Sequence, residues 1–199
     1  MIFHIIRNNP KICLYQEIVQ IVLHSNLCKE IFISSGFFQE MGHGQFNASL
    51  AMDTHGRSFM NNRYRKNITI TTKGVYNYAW YKDYDNFVND LSLAGYKVNK
   101  INSNRHHAKL FLAFNNNIPV LEIIGSTNYT STAYGINHPK NLFNCEADLV
   151  ICNNTKLENC ILKLIYEKRL NDNVIFLDYN DRNNKNIEEE MIWIKDNLF

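Results

Sequence analysis

The chain reads as one α/β domain, a sheet of short apolar strands with helices on both faces. Three observations predict it. Apolar segments of strand length alternate along the sequence with segments whose apolar residues recur at helical spacing. No internal repeat, low-complexity linker or break in composition divides the 199 residues, a length that suits a single core. Apolar residues make up 45% and charged residues 20%, the balance of a globular chain.

The first helix is expected over Lys11–Cys28. It follows Pro10, a favoured helix start, and Ile12, Tyr15, Ile18, Val19, Val22 and Leu23 recur on one face. Glu30–Ser34 reads as a short buried strand running out into Ser34-Ser35-Gly36-Phe37-Phe38. Small polar residues and glycine at the C-terminal end of a strand commonly sit beside sites in α/β folds, although an ordinary strand exit looks the same. Gln39–Lys66 is poorly patterned and carries Gly42, Gly44 and Gly56, so loops are expected there, with one short helix around Asn47–Met52. Asn67–Thr72 is a β-branched strand. Asp83–Ala94 is a helix ended by Gly95, and Tyr96–Ile101 is extended. His107–Phe114 and Val120–Gly125 form adjacent strands about the turn Asn115–Pro119. A helix starts at Thr130–Tyr134, and Glu146–Cys152 is a strand. Helix Leu157–Arg169, strand Val174–Leu177 and helix Ile187–Leu198 complete the order.

Composition sets few limits on function. Twenty-one Lys and Arg against 19 Asp and Glu leave +2, which neither demands nor forbids a polyanion and excludes a histone-like binder. The five cysteines form no C-x-x-C pair, so free thiols in a reducing compartment are expected, with no zinc knuckle. Apolar runs such as Ile118–Ile124, broken by Glu122, fall short of a membrane span. The first seven residues lack the basic region, apolar core and cleavage site of a signal peptide, so a cytoplasmic location without membrane attachment is expected.

The chemistry sits in three places. In Arg105-His106-His107-Ala108-Lys109-Leu110, strand alternation sends His107 and Lys109 to one face. A neutral imidazole there can attack phosphorus while Lys109 offsets the charge of the phosphoryl oxygens. Alone, such a pair is more often a solvated surface. Ile124-Gly125-Ser126-Thr127-Asn128 follows an apolar strand; Gly125 permits a sharp turn, and Ser126 and Asn128 offer neutral groups to a phosphate. A turn with a helix cap reads equally well from this segment. In Asn144-Cys145-Glu146-Ala147-Asp148, Glu146 can accept the Nδ1 proton of an imidazole and fix its tautomer, with Asp148 on the same face as the alternative.

In this order the pieces resemble the phospholipase D-like superfamily, whose signature is H-x-K followed by G-S-x-N. The matching residues are His107 and Lys109, then Gly125, Ser126 and Asn128. Glu146 resembles the carboxylate that closes the motif in nuclease members. One departure is clear: the signature places Asp five residues after the Lys, where this chain has Phe114. Members of the metal-independent restriction-endonuclease branch often lack that Asp, and residues 32–38 resemble the first strand of that group. The resemblance implies a phospholipase D-like sandwich, with a mixed, largely parallel central sheet flanked by helices on both faces. It also implies catalytic roles for His107, Lys109, Ser126, Asn128 and Glu146.

One motif set in a family that needs two implies a homodimer whose active site lies at the two-fold interface. The implied activity is a metal-independent endonuclease acting on DNA through a covalent phosphohistidine, as in a restriction or defence enzyme. No cofactor or metal is expected. Ser34 and Ser35 at the strand exit, with Arg57, Arg63, Arg65, Lys66 and Lys73, are candidate substrate contacts, Tyr64 lying among them to stack on a base. A charged solvated loop is the competing reading of that basic stretch. Other functions also stay open at this point: a phospholipase or phosphatidyl-transferase of the same fold, a nucleic-acid-binding relative with weak or lost catalysis, and an unrelated α/β protein with a chance match.

Overall fold

A computed structural model of the chain describes residues 1–7, 13–39, 48, 66–72, 78–102, 106–134, 144–168 and 174–177, with residues 188, 189, 191, 192, 195, 196 and 199 near the C-terminus. In chain order the elements are β1 (Ile2–Arg7), α1 (Leu14–His24), β2 (Glu30–Ser35), β3 (Asn67–Thr72), α2 (Tyr78–Leu93), β4 (Lys97–Asn102), β5 (Leu110–Asn115), β6 (Ile118–Gly125), α3 (Ser131–Tyr134), β7 (Glu146–Cys152), α4 (Thr155–Glu167) and β8 (Val174–Leu177). The strands form one sheet of order β4-β3-β2-β5-β6-β7-β1-β8.

The sheet is mixed, as expected, but its parallel part is small. Only β2–β3 and β3–β4 run parallel; β2–β5, β5–β6, β6–β7, β7–β1 and β1–β8 are antiparallel. The reason is the short link between β5 and β6. Asn116 and Asn117 take positive φ of 52° and 65°, the hairpin conformation that Asn tolerates best after Gly, and a link this short can only reverse the chain. The antiparallel arrangement then continues through β7 and β1.

Strand β1 was not anticipated from sequence. Residues 2–7 pair with β7 on one side and β8 on the other, Phe3 opposite Val150 and Phe176, so the first residues of the chain are an interior strand. The short helix expected around Asn47–Met52 lies outside the described residues except for Ala48, which is helical and buried.

Alternation divides the sheet into two faces of unequal coverage. Phe3, Ile5, Ile31, Ile33, Ile68, Ile70, Phe111, Ala113, Leu121, Ile123 and Val150 face one way. They pack with Ile18, Val22 and Leu23 of α1, Tyr84, Phe87 and Leu91 of α2, and Leu157, Ile161 and Ile165 of α4 in one large core. At about 2–3 kcal/mol per fully buried aliphatic or aromatic side chain, this face carries most of the burial energy. The opposite face has a smaller core of Leu110, Leu112 and Phe114, closed by Met191 with Phe32, Ile124 and Phe199 against it. The C-terminal segment, helical at residues 188, 189, 191, 192, 195 and 196, therefore supplies the second layer, and helices do lie on both faces.

Strand direction gathers the chemistry at one end of the sheet. Strands β1, β2, β3 and β6 finish there, at Arg7, Ser35, Thr72 and Gly125, while β5 and β7 begin there, at Leu110 and Glu146.

Candidate active site

Strand β5 starts at Leu110, so His107 and Lys109 precede the ladder rather than lying within it. Neighbouring strands clip the segment in place. Ser34 Oγ donates to the Ala108 carbonyl at 3.0 Å, the Gly125 N–H donates to the Lys109 carbonyl at 3.2 Å, and Thr71 Oγ1 lies 3.3 Å from His106 Nδ1. The neighbour His106 is thus tied to β3, as alternation predicts, while the His107 ring is exposed at the sheet end.

Lys109 Nζ lies 3.2 Å from Nδ1 and 3.4 Å from Nε2 of His107, and it donates to the His107 carbonyl at 3.0 Å. The two side chains expected to share a pocket do meet. The Cδ2–Nε2 edge of the ring faces Gly36, where a β-carbon would come within 2.8 Å of both atoms and 3.2 Å of Asn128 Oδ1. Phe37 approaches the same ring edge-on, with centroids 6.0 Å apart.

The second motif begins where β6 ends. Gly125 lies against β7 so closely that a β-carbon would stand 2.6 Å from the Ala147 carbonyl oxygen and 2.7 Å from Asp148 Cα, so only glycine fits. The next three residues each bind a different part of the protein. Ser126 Oγ donates to Glu146 Oε2 and accepts the Ala147 N–H at 3.0 Å. Thr127 binds Asp148 twice, N–H to Oδ1 at 3.3 Å and Oγ1 to Oδ2 at 2.6 Å. Asn128 Oδ1 accepts the Gly36 N–H at 3.1 Å and lies 3.3 Å from Ser35 Oγ. Because Oδ1 takes the backbone donor, the NH2 end of Asn128 is directed away from Gly36.

The two carboxylates differ in environment. Glu146 accepts from Ser126 and from Asn144 Nδ2 at 3.1 Å, so its hydrogen bonds run to the G-S-x-N turn and to its own strand start rather than to the imidazole partner expected of it. Asp148, at 4% exposure, is pushed up to about 6 by burial, which outweighs the two Thr127 hydrogen bonds and is reinforced by the nearby Glu146 charge. Asp148 therefore holds the turn from beneath.

The candidate substrate contacts separate. Ser34 and Ser35 are 1% and 0% exposed, and Ser35 Oγ donates to the Phe37 carbonyl at 2.7 Å. Both brace the strand exit instead of presenting a hydroxyl to a ligand, since a buried hydroxyl needs an internal partner. Lys66 is also corrected. It precedes β3, at the end of the sheet opposite to His107, and is 2% exposed with Nζ donating to the Ser25 carbonyl at 2.6 Å just beyond α1. Burial lowers its pKa, and the Ser25 carbonyl gives the buried amine a hydrogen-bond partner. Arg57, Arg63, Arg65 and Lys73 lie outside the described residues.

Sequence reasoning passed over Arg7. It stands opposite Glu146 in the β1–β7 ladder, 6% exposed, with Nη1 donating to the Ala133 carbonyl. The signal was Phe3, Ile5 and Arg7 at alternate positions, which places the guanidinium on the inward face at the sheet end.

Phe114 has its own explanation. It is fully buried, edge-on to Phe32 with centroids 5.7 Å apart, and Lys195 Nζ lies 5.2 Å from its ring centre. It pairs with Glu30 at the end of β5 remote from His107 and shares the opposite face with Leu110 and Leu112.

His107 and Lys109 at the start of β5, with Gly125, Ser126 and Asn128 beyond β6, complete the pattern in space. The residues on which the resemblance to the phospholipase D-like superfamily rests thus stand together. No family model and no curated protein matches the sequence. Among solved structures, the chain is similar to the phosphatidylserine synthase of Haemophilus influenzae Rd KW20 (9% identity, TM-score 0.49, 98% of this chain and 45% of that one). It is similar to the polyphosphate kinase of Porphyromonas gingivalis (10% identity, TM-score 0.47, 83% of this chain and 26% of that one). It is also similar to NucT from Helicobacter pylori (13% identity, TM-score 0.40, 89% of this chain and 100% of that one). The chain thus spans about a quarter of the kinase, under half of the synthase and all of NucT. Among the described residues no helix is long and apolar enough to cross a membrane.

Proposed function

We propose that the protein is a metal-independent phosphodiesterase that cleaves DNA as a homodimer, with one active site formed across the two-fold axis. The observation that carries this reading is the convergence of His107, Lys109 and Asn128 at one exposed end of the sheet, with Ser126 and Glu146 bonded beside them. A single imidazole can serve as nucleophile or as acid at one moment, and the reaction needs both, so a second copy supplies the second role.

In the proposed reaction, a ring nitrogen of one His107 attacks phosphorus in line, and the bond from phosphorus to the leaving sugar oxygen breaks. The partner's His107 gives that oxygen its proton. It then takes a proton from water as the water oxygen attacks the phosphohistidine, breaking the P–N bond and restoring the first imidazole. Lys109, resting against the ring in the free protein, turns to the non-bridging oxygens when phosphate enters, and the NH2 end of Asn128 donates to the same group. Glu146 holds Ser126, and through it the turn that carries Asn128.

Cleavage of plasmid and oligonucleotide DNA in excess EDTA, comparing the parent with His107→Ala, tests the reading. Cleavage by the parent alone is the expected result. Equal cleavage by both, or none by either, overturns it. Discrete plasmid fragments would favour a restriction role, a smear a non-specific one, and release of headgroup from phospholipid without DNA cleavage would move the chemistry to a lipid.

A further inference from the structure

We infer that Gly36 is a positioning residue for the His107 imidazole: its missing side chain is the notch that receives the Cδ2–Nε2 edge of the ring. The inference rests on the role proposed above for His107. Two glycines near the site differ in what excludes a β-carbon. At Gly125 the atoms that exclude a β-carbon include backbone, the Ala147 carbonyl and Asp148 Cα, so that glycine serves the fold. At Gly36 the excluding atoms are His107 Cδ2 and Nε2 at 2.8 Å and Asn128 Oδ1 at 3.2 Å, all at the far ends of side chains. Nothing in the backbone demands glycine there. What demands it is the place of the imidazole.

The surroundings make the notch a defined seat. Its floor is set by Ser35 and Thr72, both fully buried; Ser35 Oγ donates to the Phe37 carbonyl at 2.7 Å and Thr72 Oγ1 to the Gly36 carbonyl at 3.2 Å. One wall is Asn128, held by the Gly36 N–H, and another is the Phe37 ring edge. Lys109 Nζ bears on the same ring, 3.2 Å from Nδ1 and 3.4 Å from Nε2. Gly36 thus does two things at once. Its N–H orients the amide of Asn128, and its open α-carbon admits the imidazole beside that amide. The strand exit 35–37 becomes a third element of the site alongside H-x-K and G-S-x-N.

A methyl group at position 36 would push out the exposed His107 ring, which moves at little cost, and leave the sheet in place. The test is therefore Gly36→Ala, read by the ring 15N and 13C signals of His107, assigned by their absence in His107→Ala. Changed ring signals are expected, with a thermal midpoint close to that of the parent. In the cleavage assay kcat is expected to fall by about 10- to 100-fold while KM stays within about threefold, because the reacting atom is misplaced while phosphate contacts elsewhere persist. Should Gly36→Ala lose stability, the double variant Gly36→Ala/His107→Ala, which removes the ring the methyl group would meet, is expected to recover the thermal midpoint of His107→Ala, and no recovery overturns the inference. Unchanged His107 signals in folded Gly36→Ala overturn the inference. A parent that cleaves no phosphodiester overturns the proposed function, while the ring signals still decide whether Gly36 seats the imidazole.

Discussion

At the scale of single residues, β7 presents two buried carboxylates to two consecutive hydroxyls, Glu146 to Ser126 and Asp148 to Thr127, and they differ in their other donors, Asn144 Nδ2 for Glu146 and the Thr127 N–H for Asp148. Asp148 is buried with its carboxyl raised to about 6 from an ordinary value near 3.8, so ionising it costs the folded state free energy that the unfolded state does not lose. The stabilising contribution is then full below about pH 4 and lost as pH rises through 6, on the order of 3 kcal/mol for a shift of this size. Urea unfolding across pH 4–8 should show the stability of the parent, relative to Asp148→Asn, falling through that window and level above it. A constant difference would mean that Asp148 does not titrate there. Gly125→Ala should cost more than about 3 kcal/mol in the same measurement, because the obstructing atoms include the backbone of β7 and cannot turn aside. A variant of near-parent stability would show that the β6–β7 contact is looser than this.

At the scale of elements, the question is what Phe114 does where the family signature carries Asp. Alternation puts it with Leu110 and Leu112, under the C-terminal segment that provides Met191 and Lys195, and the hairpin beyond it places it far from His107. Phe114→Ala should therefore destabilise by about 3–5 kcal/mol in chemical unfolding while kcat per folded molecule stays within a few-fold of the parent. Loss of turnover without loss of stability would return Phe114 to the site. Most elements were legible in the sequence because each carries its own period. Strands β3, β7 and β8 have the bounds expected of them, and α1, α2 and α4 differ by a few residues at their ends. Strand β1 was missed for a physical reason: in its six residues only His4 and Ile6 escape burial, too little contrast to declare a strand before its partners are known. The start of β5 was misjudged for the opposite reason. His107 and Lys109 continue the alternation, but the segment is held through single hydrogen bonds, Ser34 to the Ala108 carbonyl and Gly125 to the Lys109 carbonyl, and not through a ladder.

At the scale of the molecule, the proposed dimer makes a quantitative prediction. If one site needs both copies of His107, mixing parent with His107→Ala, followed by subunit exchange, should lower activity as the square of the parent fraction. A linear decline would mean that each chain carries a complete site.

The sequence by itself determined the alternation of helices and strands and the H-x-K and G-S-x-N residues, because these depend on local periodicity and on side-chain type. Tertiary structure alone decided the pairing partners. Antiparallel order brings the start of β5 beside the ends of β2 and β6, and so sets His107 against Gly36 and Asn128 across more than 70 residues of chain in one case and about 20 in the other. It also decided which candidates were withdrawn. Lys66 and His107 stand at opposite ends of the sheet, and Ser34 and Ser35 are folded inward, since a strand's direction and depth depend on neighbours that its own residues do not specify.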